Sequence, residues 1–259
     1  MVSVFYSGLM SLSLGAVLSL SLLRIRQTGV GLFVLVALCT AGLLLIGTAG
    51  LPPQARTVAP ALWMAHWAWL GLAVVWGGAA WLLPTRWVQV SWWLIPVAAL
   101  GWWAAVMPHL PGAKGILMGL AAGGTLLLTA LLMGSVSTAM VVGHWYLVNP
   151  GLSIGALERM SRVYLGTALA RLAWAVGWTL HDWDHFRGLL AGWGLDAIFL
   201  LQRWGFSLLL SPVLAWMVYQ TAKIRSTQSA TGILYAAMVV TIVGEFVGLY
   251  LWIHRGLWQ

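Results

Sequence analysis

The chain is divided into long apolar runs, each close to the length of one membrane crossing, and this pattern constrains the fold more than any other feature. The runs fall at about Val4 to Leu23, Val30 to Gly50, Ala61 to Leu83, Trp87 to Met107, Gly115 to Val142, Ser161 to Leu180, Leu195 to Ala222 and Ile233 to Ile253. About 20 helical residues cross about 30 Å of hydrocarbon, so every run is long enough to span. The runs are continuously apolar and rich in Leu and Ala, whereas strands of a membrane barrel alternate over about ten residues. The sequence therefore predicts an all-α, polytopic integral membrane protein: one transmembrane domain over residues 1–259, built as a bundle of about eight helices.

Composition excludes a water-soluble alternative. Of 259 residues, 61% are hydrophobic and only 7% charged, against about 25% charged in a soluble domain. No Lys or Arg precedes the first run and no small-residue cleavage site follows it, so it is expected to stay in the chain rather than act as a signal peptide. The single cysteine, Cys39, lies within the second run. That rules out an intramolecular disulfide, a CxxC redox pair and a cysteine-ligated iron–sulfur cluster.

Arg24, Arg26, Arg86, Arg159, Arg162, Lys223 and Arg225 fall on one set of connections, and Arg56, Lys114, Arg187 and Arg255 on the other. The positive-inside rule then puts both termini outside, which in a bacterial inner membrane is the periplasm. The net charge of +8 comes from basic residues scattered singly at helix ends. This suits anchoring to membrane lipid and gives no support for nucleic acid. Among 19 Trp, a dense group runs from Trp63 to Trp103. Many suit the interfacial belts, but Trp76 and some neighbours fall too deep for them. Lipid-facing or subunit-facing packing is the expectation there, with a cofactor platform as the sharper alternative. Gly115, Gly119 and Gly123, and Gly244 with Gly248, recur every four residues and predict close helix contacts. The two halves of the chain do not repeat one another, so an inverted-repeat transporter gains no support.

Charges inside the runs are the most informative residues, because one charge at the bilayer centre costs about 2.5 kcal/mol or more. Arg171, Arg203 and Glu245 lie eight or nine residues from the outer ends of three consecutive runs, which puts all three about 12 to 14 Å deep. The sequence predicts that they form one ligand-binding cluster, with Gln202 beside it. Two arginines against one carboxylate leave a surplus cation unless Asp196 folds back. A buried cation attracts an anion or polarises a carbonyl such as that of a quinone headgroup.

The segment His181 to His185 has two histidines four residues apart with Asp182 and Asp184 between them. If helical, both imidazoles share a face and the pair can hold a metal. Solvated interfacial side chains are the plainer reading. His66, His109, His181, His185 and His254 lie toward the outside and His144 alone toward the inside. Bis-histidine haems on both sides are therefore not expected, and His66 offers the best-buried ligand for a single outer haem b. On the inner side, His144, Trp145 and Tyr146 precede a helix-breaking Asn149 and Pro150. Leu152, Ile154, Leu157 and Met160 then suggest a short amphipathic turn, and Ser229 or Thr231 a cap for the final helix.

No Walker loop, dinucleotide fingerprint, HExxH or nucleophile elbow is present. A self-sufficient enzyme acting on a soluble substrate is not expected. The reading that fits best is a membrane subunit of a bacterial respiratory or other electron-transfer complex, quinone-interacting and working beside other subunits. A small-anion transporter or channel is the alternative from another class, and a structural or assembly subunit the third.

Overall fold

The computed structural model describes residues 3–51, 55–113, 115–149, 154–192 and 194–257. It is all-helical, with 89% of residues in helix and no strand among those described. The long helices are α1 (Val4–Leu20), α2 (Val30–Gly50), α3 (Pro60–Ala79), α4 (Thr85–His109), α5 (Ile116–Val148), α6 (Gly155–His181), the short α7 (Trp183–Ala191), α8 (Leu195–Lys223) and α9 (Thr227–Arg255). Five of these, α2, α4, α5, α8 and α9, are long and apolar enough to cross a membrane. The others fall short for visible reasons: α1 has 17 residues, α3 carries His66 and four Trp, and α6 carries Glu158, Arg159, Arg162 and Arg171.

The helices run up and down in chain order. At one end Ser3 Oγ donates to the Gly50 carbonyl, 3.3 Å; at the other Trp92 Nε1 donates to Ser21 Oγ, 2.8 Å, and Trp145 Nε1 to the Thr28 carbonyl, 3.1 Å. Helix α1 is the centre. It packs on α2 and α4 on one side and on α5 and α9 on the other, while α6 and α8 close the second half. The α1–α5 crossing brings backbones together at Gly15 and Gly134: a Cβ on Gly15 would meet the Ala130 carbonyl, and one on Gly134 the backbone of Gly15 and Ala16. Small faces of this kind let helices approach where lipid offers no hydrophobic drive to associate.

The expected Gly115, Gly119 and Gly123 contact is absent in this form. A Cβ would meet open space at Gly115 and Gly119, and only Gly123 abuts a neighbour, Met107. Helix α4 is interrupted at Trp92 and Trp93, four and three residues before Pro96. Proline has no N–H to give the Trp92 carbonyl and crowds it sterically. Helix α8 is wound as a π-helix over Arg203–Leu210. Pro212 follows one residue beyond it, after Ser211, and widening the turn relieves its clash with the preceding carbonyls.

The deep tryptophans face neither lipid nor a partner. Trp69, Trp92 and Trp102 are fully buried and Trp76 is 6% exposed. They fill the interior between α1, α2, α3 and α4, with Trp76 Nε1 donating to Ser91 Oγ at 3.0 Å. Trp67, Trp81, Trp87 and Trp93 are the exposed ones. Two inner-side expectations also change. Leu157 and Met160 are buried in the first turns of α6, so the proposed surface turn is the start of a long helix; Pro150 and Leu152 lie outside the described residues. Helix α9 starts at Thr227, before both proposed caps, and Thr231 Oγ1 donates back to the Thr227 carbonyl.

Candidate functional site

Four helices meet around Glu245. Arg171 comes from α6, Arg203 from α8 and Glu245 from α9, and none is more than 1% exposed. Arg171 Nε stands 3.3 Å from Glu245 Oε2, which also accepts from Thr129 Oγ1 of α5 at 2.9 Å. Glu245 Oε1 accepts from Arg203 Nη1 and from Ser207 Oγ. Arg203 Nη1 reaches the Gly244 carbonyl as well, 3.3 Å. The carboxylate is thus saturated by four donors from three helices, the arrangement a charge needs to persist in a low dielectric.

Glycine makes the room. A Cβ on Gly248 would lie 2.6 Å from Arg203 Nε, and one on Gly244 would overlap Ser207. The stripe that flanks Glu245 is therefore the slot into which α8 sets its arginine and serine. The π-wound segment carries both Arg203 and Ser207, in keeping with the frequent placement of such bulges at functional sites.

The sequence did place Arg171, Arg203 and Glu245 together, and the structure joins them. It does not join the other two candidates. The side-chain oxygen and nitrogen of Gln202 are buried without a hydrogen-bond partner, one residue along α8 but not bonded to the cluster. Asp196 pairs with Arg255 at 2.8 Å near the end of the bundle, so it does not fold back. The remaining acids are placed elsewhere: Glu158 in the first turn of α6, Asp182 against His185, and Asp184 exposed. Two guanidiniums share one carboxylate, and the cluster keeps one positive charge in surplus.

Hydroxyls extend the polar interior, a feature missed from sequence. Ser211 Oγ and Thr241 Oγ1 are 2.8 Å apart, and Tyr164 OH is 3.2 Å from Thr241 Oγ1. Thr167 Oγ1 meets Ser135 Oγ at 2.8 Å. The signal was present as spacing: Ser207 and Ser211 follow Arg203 at four-residue steps, and Thr241 precedes Glu245 by four.

About a quarter turn round α6 from Arg171 lies a groove of about 770 Å³ between α5 and α6. Ala170 and Ala173, which bracket Arg171 in sequence, line it together with Trp174, Gly177, Trp178 and His181. The rings form a row, with centroids 6.1 Å apart from Trp174 to Trp178 and 5.4 Å from Trp178 to His181. Leu117 and Leu120 on the α5 wall are 75% and 59% exposed, so the groove opens outward from the bundle. Trp174 is fixed by donating to Thr125 Oγ1 at 2.9 Å.

The histidines do not assemble as the sequence suggested. Helix α6 ends at His181 and α7 begins at Trp183, with Asp182 in the break at φ −118 and ψ 47. His181 and His185 therefore do not share a helical face. His185 Nδ1 instead meets Asp182 Oδ2 at 3.1 Å. Among the described residues no group of three or more His, Cys, Asp or Glu gathers as a metal site would. His66 is fully buried, its Nδ1 3.3 Å from Tyr6 OH and its Nε2 without a hydrogen bond. Its imidazole has a ligand's chemistry, but it is packed against Tyr6 and Trp67 with centroids 5.7 and 5.6 Å away. Its Nε2 is itself buried, so a haem bound there would have to displace neighbouring side chains, and the site does not fit one as it stands.

These features define a class, an all-helical chain with five helices long and apolar enough to cross a membrane and a buried charge cluster that keeps one positive charge in surplus. Compared with protein-family models, curated proteins and solved structures, the chain matches none.

Proposed function

We propose that the protein is a multi-pass subunit of a bacterial respiratory or other electron-transfer complex, and that it binds a quinone or similar lipid-soluble carrier. In this reading eight helices span the inner membrane, both termini are periplasmic, and α7 lies on the periplasmic face. The short or charged helices α1, α3 and α6 count as spans because each is packed between helices that are long and apolar enough to cross.

The observation that carries the proposal is the groove between α5 and α6. It opens outward where lipid would lie, is apolar, and is floored by a row of two tryptophans and one histidine. A flat ring with a hydrocarbon tail matches each property, since aromatic faces stack on rings and an imidazole can bond a carbonyl oxygen or pass a proton. Arg171 lies on the same helix about a quarter turn from the centre of the groove, on the flank turned into the bundle. Its role, with Arg203 and Glu245, is to hold α6, α8 and α9 in register and to set a positive potential behind the groove. Electrons come from a partner subunit.

The test is quinone content. Gly177 lines the groove and a Cβ there meets nothing within 4 Å, so Gly177→Phe fills the space without disturbing the bundle. Quinone co-purifying with the gently solubilised wild type and lost from this variant, at unchanged yield, is the expected result. Equal quinone in both would remove the groove from the account.

The hydroxyl ladder from Ser207 to Tyr164 favours a second reading, passage of a small anion drawn by the surplus charge. Anion uptake by proteoliposomes holding the chain alone would select it over the first.

A further inference from the structure

At the opposite end of the bundle from the chain termini, a pocket of about 640 Å³ gathers four arginines. Arg24 and Arg26 come from the connection after α1, Arg86 from the first turn of α4, and Arg159 from the first turns of α6. We infer that this pocket binds the phosphate headgroup of an anionic phospholipid.

The walls are fixed rather than incidental. Ile25 N–H donates to Gln89 Oε1 at 2.8 Å, which ties the α1 connection to α4, and Arg159 Nη1 donates to the Leu22 carbonyl at 2.9 Å, which ties it to α6. Three separate parts of the chain therefore hold their arginines around one hollow. None of the five acidic residues of the sequence lines it. Arginines that serve only as anchors would be dispersed, and here four of the 13 basic residues face the same space. Forked guanidiniums suit a tetrahedral anion with several acceptor oxygens, and basic pockets between helices at the membrane surface are lipid-headgroup sites.

The rim decides between a lipid and a free phosphate ion. Leu22 and Trp93 line the pocket and are 48% and 50% exposed. An apolar lip beside a basic floor receives a glycerol backbone and the start of an acyl chain, which a dissolved ion does not have.

Native mass spectrometry of the purified chain, titrated with phosphatidylglycerol or phosphatidylcholine, reads this out. Phosphatidylglycerol should bind preferentially, and Arg86→Gln with Arg159→Gln should weaken it roughly 25-fold, taking each arginine at about fivefold. Lys223→Gln with Arg225→Gln, exposed at the same end but outside the pocket, should change it little. Arg24→Gln with Arg26→Gln, at exposed positions of the connection, gives a second pair should the first fail to fold. Equal binding of both lipids, or equal loss in the control pair, would overturn the site. Protection of the chain from heat by inorganic phosphate as complete as that given by the lipid would overturn the choice of a lipid.

Discussion

Glu245→Gln removes one negative charge from a point where four donors converge, and its consequence follows from the geometry. Each carboxylate oxygen accepts from one arginine and one hydroxyl: Arg203 and Ser207 on Oε1, Arg171 and Thr129 on Oε2. The amide keeps the shape but turns one of these positions into a donor, so two donors are left facing an N–H. The neighbouring arginines, at most 1% exposed, lose their counterion together. Stranding a buried charge costs about 3–5 kcal/mol, far above the roughly 0.6 kcal/mol average of a single hydrogen bond between membrane helices. Glu245→Gln is therefore expected to destabilise by about 3–5 kcal/mol, read as a lowered midpoint of unfolding in mild detergent with added SDS. Adding Arg171→Met should recover part of that loss, because the second change removes a stranded charge, with coupling of about 1–3 kcal/mol. A Glu245→Gln protein within about 0.5 kcal/mol of wild type, or a double variant no better than additive, would refute the reasoning.

Gly15→Leu puts a side chain where the Ala130 carbonyl already lies, and backbone cannot yield as a side chain can. It should cost about 3 kcal/mol, the upper end for overpacking, while Gly119→Leu, with open space before it, should leave the unfolding midpoint unchanged. Tyr6→Phe deprives Trp102 Nε1, which donates to the hydroxyl at 2.8 Å, and His66 Nδ1 at 3.3 Å; a loss of about 1–3 kcal/mol is expected in the same assay. For topology, a Cys39→Ser background is needed because Cys39 is exposed on the bundle. In intact cells, a membrane-impermeant thiol reagent should then label Asp184→Cys but not Gln228→Cys; the reverse pattern would invert the orientation.

The charge cluster was legible because an arginine or glutamate inside an apolar run is conspicuous, and equal depth on three consecutive runs leaves few other pairings. Its hydroxyl partners were not. Thr129 is an ordinary residue of a membrane helix until a neighbour is known, and the four-residue step from Arg203 puts Ser207 on the same face without showing that it meets Glu245. Gly244 and Gly248 were rightly read as a close-contact face, yet what they admit is the side chain of Arg203 and the body of Ser207. The Gly115 series failed because spacing shows which glycines share a face and not whether a helix lies against it. The histidine pair failed at a single residue: Asp182 breaks the helix between α6 and α7, and four-residue spacing has meaning only within one continuous helix. The deep tryptophans were read outward because their depth excludes the interfacial belts and aromatics commonly fill surfaces between helices. They instead fill the interior, where Ser21, Ser91 and Tyr6 accept from Trp92, Trp76 and Trp102, while the Trp69 indole nitrogen is buried without a hydrogen bond.

The groove between α5 and α6 escaped sequence reading altogether, since its walls are common apolar residues from two helices, and it now carries the functional proposal. Photolabelling of the native membrane complex with an azido-quinone, followed by peptide mapping, tests that proposal most directly. Adducts concentrated on the α6 segment from Ala170 to His181 and on the facing Leu117 to Ala121 of α5, suppressed by excess unlabelled quinone and by Gly177→Phe, are the predicted result. Labelling confined to other subunits, or spread over the chain without competition, would contradict it.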